Sequence, residues 1–133
     1  MLGPYNPLIR LTDTNRVGAI WSTSGTSVTI VGTIPIALAT WYWCVLQRQG
    51  NTFFLFINGV LDTTAVMTGT ATYTASQPLF IGKSGALVAG QRFQGYIDEF
   101  RITKGLARWG GVTSILPPTA EYDADNIAGQ TVF

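Results

Sequence analysis

The chain has 133 residues, of which only 11% are charged, and its formal net charge is +1. Its lysines and arginines are scattered singly rather than clustered in a basic patch, so we expect no nucleic-acid partner. Proteins average about 25% charged residues. The deficit here has two explanations: part of the surface is buried in an assembly, which we favour, or Thr, Ser, Gln and Asn provide solubility. A single domain of this length buries about two-thirds of its unfolded surface.

Two residue types that carry much of enzyme chemistry are scarce. The chain has no histidine, which removes Ser-His-Asp and Cys-His catalysis and the usual zinc sites. Cys44 is the only cysteine, so neither an internal disulfide nor a thiolate metal site can form within the chain. Its apolar surroundings in the sequence predict a packed, inert thiol. The sequence therefore predicts no cofactor and no metal.

Membrane and export signals are also missing from the sequence. No run approaches the roughly 20 apolar residues that span a bilayer, so we expect no membrane insertion. The start, Met1 to Pro4, lacks the charged and apolar regions of a signal peptide, and this predicts that the protein is not exported by the Sec route.

The N-terminal third predicts short strands after an irregular start. Residues 1–7, with a glycine and two prolines, are predicted to form an irregular arm. Pro35 donates no ladder hydrogen bond, so it indicates a sheet edge or a connection. Strands are predicted at Leu8–Thr12, Val17–Trp21 and Ser27–Thr33, with a hairpin loop at Ser22–Thr26.

The strongest predicted strands lie mid-chain. They are Trp41–Gln49 and Thr52–Asn58, joined by a compact hairpin turn at Gln49–Asn51. The second of them has apolar side chains on both faces, which is typical of a strand in the middle of a sheet. One cover is predicted to be the opposing sheet, and the other a long loop or a neighbouring subunit. Asn58 and Gly59 then predict a turn into a further strand.

The C-terminal half contains one more strong pattern. Leu79–Ile81 predicts a short strand, whereas Val66–Ser76 has no clear pattern. Tyr96–Thr103, entered through a glycine and followed by another, predicts a buried closing strand with Phe100 in the core and Glu99 paired with Arg101.

Many short strands, frequent turn residues and almost no helical periodicity predict an all-β fold, an antiparallel β-sandwich. The domain is predicted to span residues 1–118. Residues 119–133 are predicted to be a C-terminal arm that lies on this domain or on a neighbour.

Residues 93–109, FQGYIDEFRITKGLARW, resemble the closing strand of laminin-G-like (concanavalin A-like) jelly-roll modules of tailed-phage tail and surface proteins. Three further segments match in the expected order: Trp41–Arg48, Phe54–Gly59 and Pro78–Gly82. The resemblance covers roughly residues 41–118 and implies a jelly roll. Family members usually open with an aromatic-Thr-aliphatic-Glu-aliphatic-Trp strand, and Val17–Trp21 has the tryptophan without the glutamate. The fold is thus predicted to lack its usual first strand, leaving an open edge that a strand or arm of another chain fills.

The related glycosidases imply a test for catalysis. They need two carboxylates facing one cleft, about 5 Å apart for retention or about 6.5–9.5 Å for inversion. Asp98 and Glu99 are neighbours and would point to opposite faces of a strand, and the positions two residues from Glu99 are Ile97 and Arg101, neither of them an acid. We therefore expect no enzymatic activity and no catalytic residue.

Two kinds of ligand site were weighed against packing. Calcium needs six to eight oxygens, and the aspartates show no EF-hand spacing. For the densest acidic cluster, Asp123 to Asn126, a solvated tail is favoured over a calcium site. Sugar sites need exposed aromatic faces, yet each candidate aromatic is better explained by packing, and no ligand residue is assigned. The aspartates are Asp13, Asp62, Asp123 and Asp125; the aromatics are Trp109, Tyr73, Trp43 and Tyr96, with Arg48, Gln94 or Arg108 as polar partners.

The resemblance implies a non-enzymatic structural module of a phage particle: a tail fibre, a spike or a capsid decoration subunit. It would be made in the host cytoplasm and reside in the virion. Its expected partners are copies of itself, with a trimer favoured, and other virion proteins. The alternative is a glycan-binding host-attachment module, and a polysaccharide-degrading enzyme is the least favoured.

Overall fold

The computed structural model describes residues 8–22, 27–70, 79–83, 92–120 and 131–132. The predicted all-β class is confirmed, because the described residues contain only antiparallel strands and irregular segments. The strands are β1 (Leu8–Leu11), β2 (Arg16–Ser22), β3 (Ser27–Pro35), β4 (Cys44–Gln49), β5 (Thr52–Ile57), β6 (Val60–Val66), β7 (Thr103–Lys104) and β8 (Thr131–Val132).

The first sheet has the order β1-β2-β3. Leu11 pairs with Val17 at one end of β1, and Ser22 pairs with Ser27 where β2 leads into β3. The three strands predicted in this region are confirmed, within a residue or two at each end. Pro35 is the last residue of β3, where a missing N–H donor interrupts no central ladder.

The second sheet has the order β4-β5-β6 and is built from two hairpins with two-residue turns. Gly50 turns β4 into β5 with a φ of 57°. Asn58 and Gly59 turn β5 into β6 with φ values of 50° and 85°, and two successive positive values are typical of a type I′ turn. Both turns are confirmed, since asparagine and glycine tolerate the left-handed conformation that these positions need.

The central strand β5 is buried on both faces, as predicted. Phe53, Leu55 and Ile57 point towards the first sheet and form the main core with residues such as Val17 and Ala19. On the opposite face, Phe56 is 0% exposed.

One loop covers the face of the second sheet that carries Phe56. We call it the covering loop, and its contacts with the sheet extend from Trp109 to Ile115. The backbone N–H of Trp109 donates to Oε1 of Gln47 on β4, at 2.7 Å. Further along, the N–H of Ile115 donates to the carbonyl of Gly59, and Leu61 donates to the carbonyl of Thr113. A long loop of the same chain is therefore the second cover.

The predicted closing strand is wrong over most of its length. Only Thr103 and Lys104 form a strand, β7, which pairs with β8 near the chain end. Glu99 has a φ of 49°, outside the extended region, and its N–H donates to the neighbouring Asp98 carboxylate at 2.9 Å. Such local side-chain bonds compete with a β-ladder. Phe100 is 45% exposed and does not lie in the core.

Two smaller predictions also need correction, and others are not tested. β4 begins at Cys44, so the residues from Trp41 to Trp43 precede the strand rather than open it. Leu79–Ile81 is not a strand; the nearby pairing is a single bridge between Lys83 and Arg92. Outside the described residues lie the predicted N-terminal arm (1–7), the tip of the first hairpin (23–26), most of the unassigned stretch (71–78) and most of the C-terminal arm (121–130 and 133).

We expect Gly59→Ala to destabilise the domain more than Gly50→Ala. Both positions have positive φ, which costs a residue with a Cβ about 1–2 kcal/mol. Only at Gly59 would the new Cβ also collide with the carbonyl oxygen of Ile115 in the covering loop. Urea unfolding of the two variants measures the difference. Equal losses would show that the loop does not rest on this turn.

Phe56→Ala should cost about 3–5 kcal/mol, because it empties a fully buried aromatic site. Phe100→Ala in the isolated monomer should cost clearly less, since much of that ring is already in water. Thermal and urea unfolding at low protein concentration compare the two. A Phe100 variant as unstable as the Phe56 variant would restore the closing strand to the core.

Candidate functional site

The two sheets approach closely along one side of the sandwich only. β3 packs against β6 and β5, whereas β1 packs against β2 and makes little contact with the second sheet. Because β1 and β3 are opposite edges of the first sheet, the β1 side of the sandwich is wider than the β3 side. By the order of the second sheet, β4 is the strand farthest from β6 and lies on that wider side.

The margins of this wider side expose residues that point towards the core. Ile9 and Leu11 pair with the buried Ala19 and Val17, so they share the core-facing side of the first sheet, yet they are 57% and 41% exposed. On β4, Cys44 pairs with the buried Ile57 and is also exposed. We call this region, bounded by β1 and β4, the open side of the sandwich.

A small apolar crevice lies between the two sheets. Its free volume is about 10 Å³, room for a single water molecule. Trp21 in its wall packs against Phe53 at 5.5 Å between ring centroids, and the Arg48 guanidinium lies 5.7 Å from the Trp21 ring. The crevice is lined by Ala19, Trp21, Val28, Ile30, Leu46 and Phe53. It is too small for a sugar ring.

The narrow side is held by Asp62 on β6. Both carboxylate oxygens accept the backbone N–H of Thr33 at 2.9 Å, and one also accepts the N–H of Ile34 at 3.2 Å. The Thr33 hydroxyl donates to the same carboxylate. Gly32 lies beside it, and a Cβ there would collide with the Asp62 carboxylate. The Asp62 carboxylate therefore accepts the backbone N–H groups of Thr33 and Ile34 at the free edge of β3 and ties the two sheets together.

Two tryptophans that the sequence offered as sugar platforms pack against each other. Trp43 and Trp109 meet edge to face with ring centroids 5.9 Å apart, and both are half-buried. Asn58 holds the backbone of Trp43 through two hydrogen bonds. Its side-chain Oδ1 accepts the N–H of Trp43, and its own N–H donates to the Trp43 carbonyl. This arrangement anchors the covering loop to the second sheet, and packing explains both rings.

The other candidate sugar-binding residues are not brought together with that pair. Tyr96 is 86% exposed, and Gln94 is exposed on the same irregular segment. Arg108 donates to the Thr103 hydroxyl at 3.3 Å, and burial together with the like charge of Arg101 lowers the pKa of its guanidinium. Tyr73 lies outside the described residues.

The acidic candidates also stay apart. Asp98 and Glu99 are exposed neighbours in an irregular segment, so no strand holds their side chains on opposite faces. Whether Glu99 pairs with Arg101 stays a prediction. Asp13 lies exposed in the turn before β2, and Asp62 is occupied by β3. Within the described residues, no three acidic or cysteine side chains gather into a group that could hold a metal ion. Asp123 and Asp125 lie outside them.

The expectation for Cys44 needs correction in one respect. The residue is exposed rather than packed. The surrounding protein nevertheless desolvates its sulfur, and this burial raises the pKa of the thiol. At neutral pH the group is therefore a protonated thiol and a poor nucleophile.

Asp62 and Gln47 are the two residues whose roles the sequence analysis missed. Asp62 had a visible signal, because it is the only charged residue between Arg48 and Lys83 and lies in an apolar stretch. A lone carboxylate in such a place is seldom left without donors. Gln47 gave no comparable signal, since its partner is the backbone of Trp109, distant in the sequence.

A family model described as the concanavalin A-like lectin/glucanases superfamily, of laminin G type, matches residues 3–107. This match covers more than half of the chain. The chain belongs to that superfamily. The two stacked antiparallel sheets of the described residues agree with the β-sandwich expected of it.

The match to the superfamily begins well before Trp41, where the sequence resemblance was placed, so the N-terminal strands belong to the family domain. The superfamily description names both lectins and glucanases, and membership alone leaves open whether this chain is an enzyme. No match was found among curated proteins or among solved structures. No helix in the described part of the chain is long and apolar enough to cross a membrane.

We expect Asp62→Ala to destabilise the domain by about 2–3 kcal/mol, because hydrogen bonds to a charged group contribute about 1.5–3 kcal/mol and their backbone donors would lose this partner. Asp13→Ala removes the same charge from an exposed turn and should change stability by less than about 0.5 kcal/mol. Urea unfolding of both variants tests this. Similar values would mean that the Asp62 carboxylate does not hold the sheets together.

Proposed function

We propose that the chain is a non-enzymatic interaction module that assembles with neighbouring subunits in a phage particle, as part of a tail fibre, a spike or a capsid decoration. The observation that carries the assembly is the open side of the sandwich. Core-facing residues at both of its margins, such as Ile9 and Cys44, remain exposed in the single chain. Burying them against another subunit would complete the core.

The composition supports assembly in a second way. Only 11% of the residues are charged, and exposed large apolar side chains occur on several elements. A solvated monomer normally carries a larger share of charge on its surface. A contact between two different surfaces of the same chain closes into a ring when the rotation permits. A homotrimer is our favoured state, because it suits a fibre or a decoration at a capsid threefold position.

The placement in a virion rests on the resemblance of residues 93–109 and the three upstream segments to laminin-G-like modules of tailed phages. In that setting the protein would be made in the host cytoplasm, and its further partners would be other virion proteins. Nucleic acid is not among the proposed partners, because the net charge is only +1 and no basic cluster is present in the sequence.

The non-enzymatic part of the proposal rests on the arrangement of acids. Asp98 and Glu99, the pair nearest to the family's glucanase pattern, are adjacent residues joined by a local hydrogen bond. Asp62 is engaged by three donors of β3. Neither arrangement provides two carboxylates facing across a cleft, which glycoside hydrolysis requires.

A second candidate function is glycan binding at a host surface, and one observation favours it. Tyr96 and Trp41 are 86% and 66% exposed, so each presents an aromatic face on which a sugar could stack. The superfamily description, which names lectins, agrees with this alternative. The two functions are compatible, since a binding site can be carried on the loops of an assembled module.

The mass of the purified protein in solution, measured by light scattering during size exclusion, tests the assembly. We expect a stable oligomer, with a trimer favoured, because a single copy leaves the open side uncovered. A monomer at all concentrations would contradict self-assembly.

A glycan array distinguishes the second candidate. If the protein is a lectin, the array should show a defined sugar, and Tyr96→Ala or Trp41→Ala should weaken the signal. Trp109→Ala would act instead by loosening the covering loop, because that ring packs on Trp43. An array without a signal would leave assembly as the function that the geometry supports.

A further inference from the structure

We propose that the open side of one copy is filled by residues 96–102 of a second copy, which add a β-strand beside the margin of the sandwich. This inference rests on the proposed assembly and names the segment that carries it. The groove and the strand that fills it would then both belong to every copy, and each copy could give a segment and receive one.

The receiving surface has the features that strand addition needs. β1 and β4 are the outermost strands of their sheets on this side, so each has one backbone edge that no described strand pairs. Between these edges lie core-facing apolar groups, with Ile9 at 57% and Leu11 at 41% exposure. Backbone edges provide affinity for an added strand, and the apolar groups between them provide pockets for its alternate side chains.

The donated segment has the composition of a strand without being one in the single copy. Tyr96, Ile97 and Phe100 are 86%, 48% and 45% exposed. In an extended conformation Tyr96, Phe100 and Ile102 would share one face with Asp98, because side chains alternate, so three of its four side chains are aromatic or apolar. Aromatic and β-branched residues favour strands, and neighbouring exposed apolar side chains mark an interaction surface.

The segment is held at both ends and presented outward. Before it, Arg92 pairs with Lys83, and the N–H of Phe93 donates to the carbonyl of Gly82 at 2.8 Å. After it, β7 pairs with β8, and the chain continues to Trp109 on the far face of the second sheet. Between these anchors residues 96–100 are exposed, whereas Arg101 and Ile102 are half-buried, so the first five residues of the segment are available for contact with a second copy.

The length of the segment fits the receiving edge. Seven extended residues span about 23 Å at roughly 3.3 Å per residue. This length covers β4, which has six residues, and exceeds β1, which has four. Adding the segment requires Glu99 to leave its positive φ for the extended region, so the bond from its N–H to Asp98 would be exchanged for a ladder bond.

Cross-linking between isotopically distinct copies tests the proposal. Tyr96→Cys, on the face that would enter the open side, is combined with the native Cys44, and light and heavy protein are mixed, refolded together and treated with a short bismaleimide. The reaction is run at mildly alkaline pH, because burial raises the pKa of the Cys44 thiol. We expect links between Cys44 of one copy and position 96 of another, seen as mixed light–heavy peptides by mass spectrometry. Links confined to one copy, or no link between these positions, would overturn the proposal.

A matched pair of variants gives an independent readout. Phe100→Asp places a charge in the donated segment and should weaken self-association by about tenfold or more, because interface aromatics carry much of the binding energy. Leu38→Asp makes a comparable change at a side chain that is 89% exposed on a different loop, and should leave association unchanged. Circular dichroism and the melting temperature confirm that both variants fold. Equal effects of the two variants on association would overturn the proposal.

The failures of the two proposals differ. An oligomer whose cross-links stay within each copy overturns strand exchange and leaves the proposed assembly standing. A protein that is monomeric at every concentration overturns both strand exchange and self-assembly.

Discussion

The architecture depends on the need to shield both faces of β5 from water. This strand carries apolar side chains on its two sides, and Leu55 and Phe56, on opposite faces, are the largest fully buried side chains in the described residues. One face is covered by the first sheet. The other is covered by the loop that Gln47 and Trp43 hold in place through Trp109. The result is a two-layer sandwich with the covering loop on the outer face of the second sheet.

The sandwich is closed unequally along its two sides, and this difference has a local electrostatic cause. On the β3 side, the Asp62 carboxylate accepts backbone donors of the opposite sheet, so an edge that would otherwise be exposed is satisfied. On the β1 side the described residues place no comparable group, and the core-facing Ile9 and Leu11 remain in contact with water. The same chain thus has one edge where Thr33 and Ile34 are bonded to the opposite sheet and one edge where core-facing residues are exposed.

This asymmetry gives the functional proposal its physical basis. A family that includes lectins and glucanases uses one fold for several activities, so the fold alone does not select among them. The exposed apolar margin and the scarcity of charge favour association, and the exposed Trp41 provides a surface that a glycan could contact. An added strand from a second copy would cover both the margin and the exposed residues 96–100.

The sequence by itself determined the all-β class, the three N-terminal strands, both two-residue turns and the double burial of β5, because alternation and turn chemistry are local properties. Tertiary structure decided three further points. The Asp62 carboxylate accepts hydrogen bonds from a strand distant in the sequence. Trp43 and Trp109 pack on each other rather than facing solvent, and residues 96–102 lie outside the sheets. A strand-like pattern indicates only that a segment can pair. Whether it does depends on an available edge, and edges are created by contacts between residues far apart in the chain.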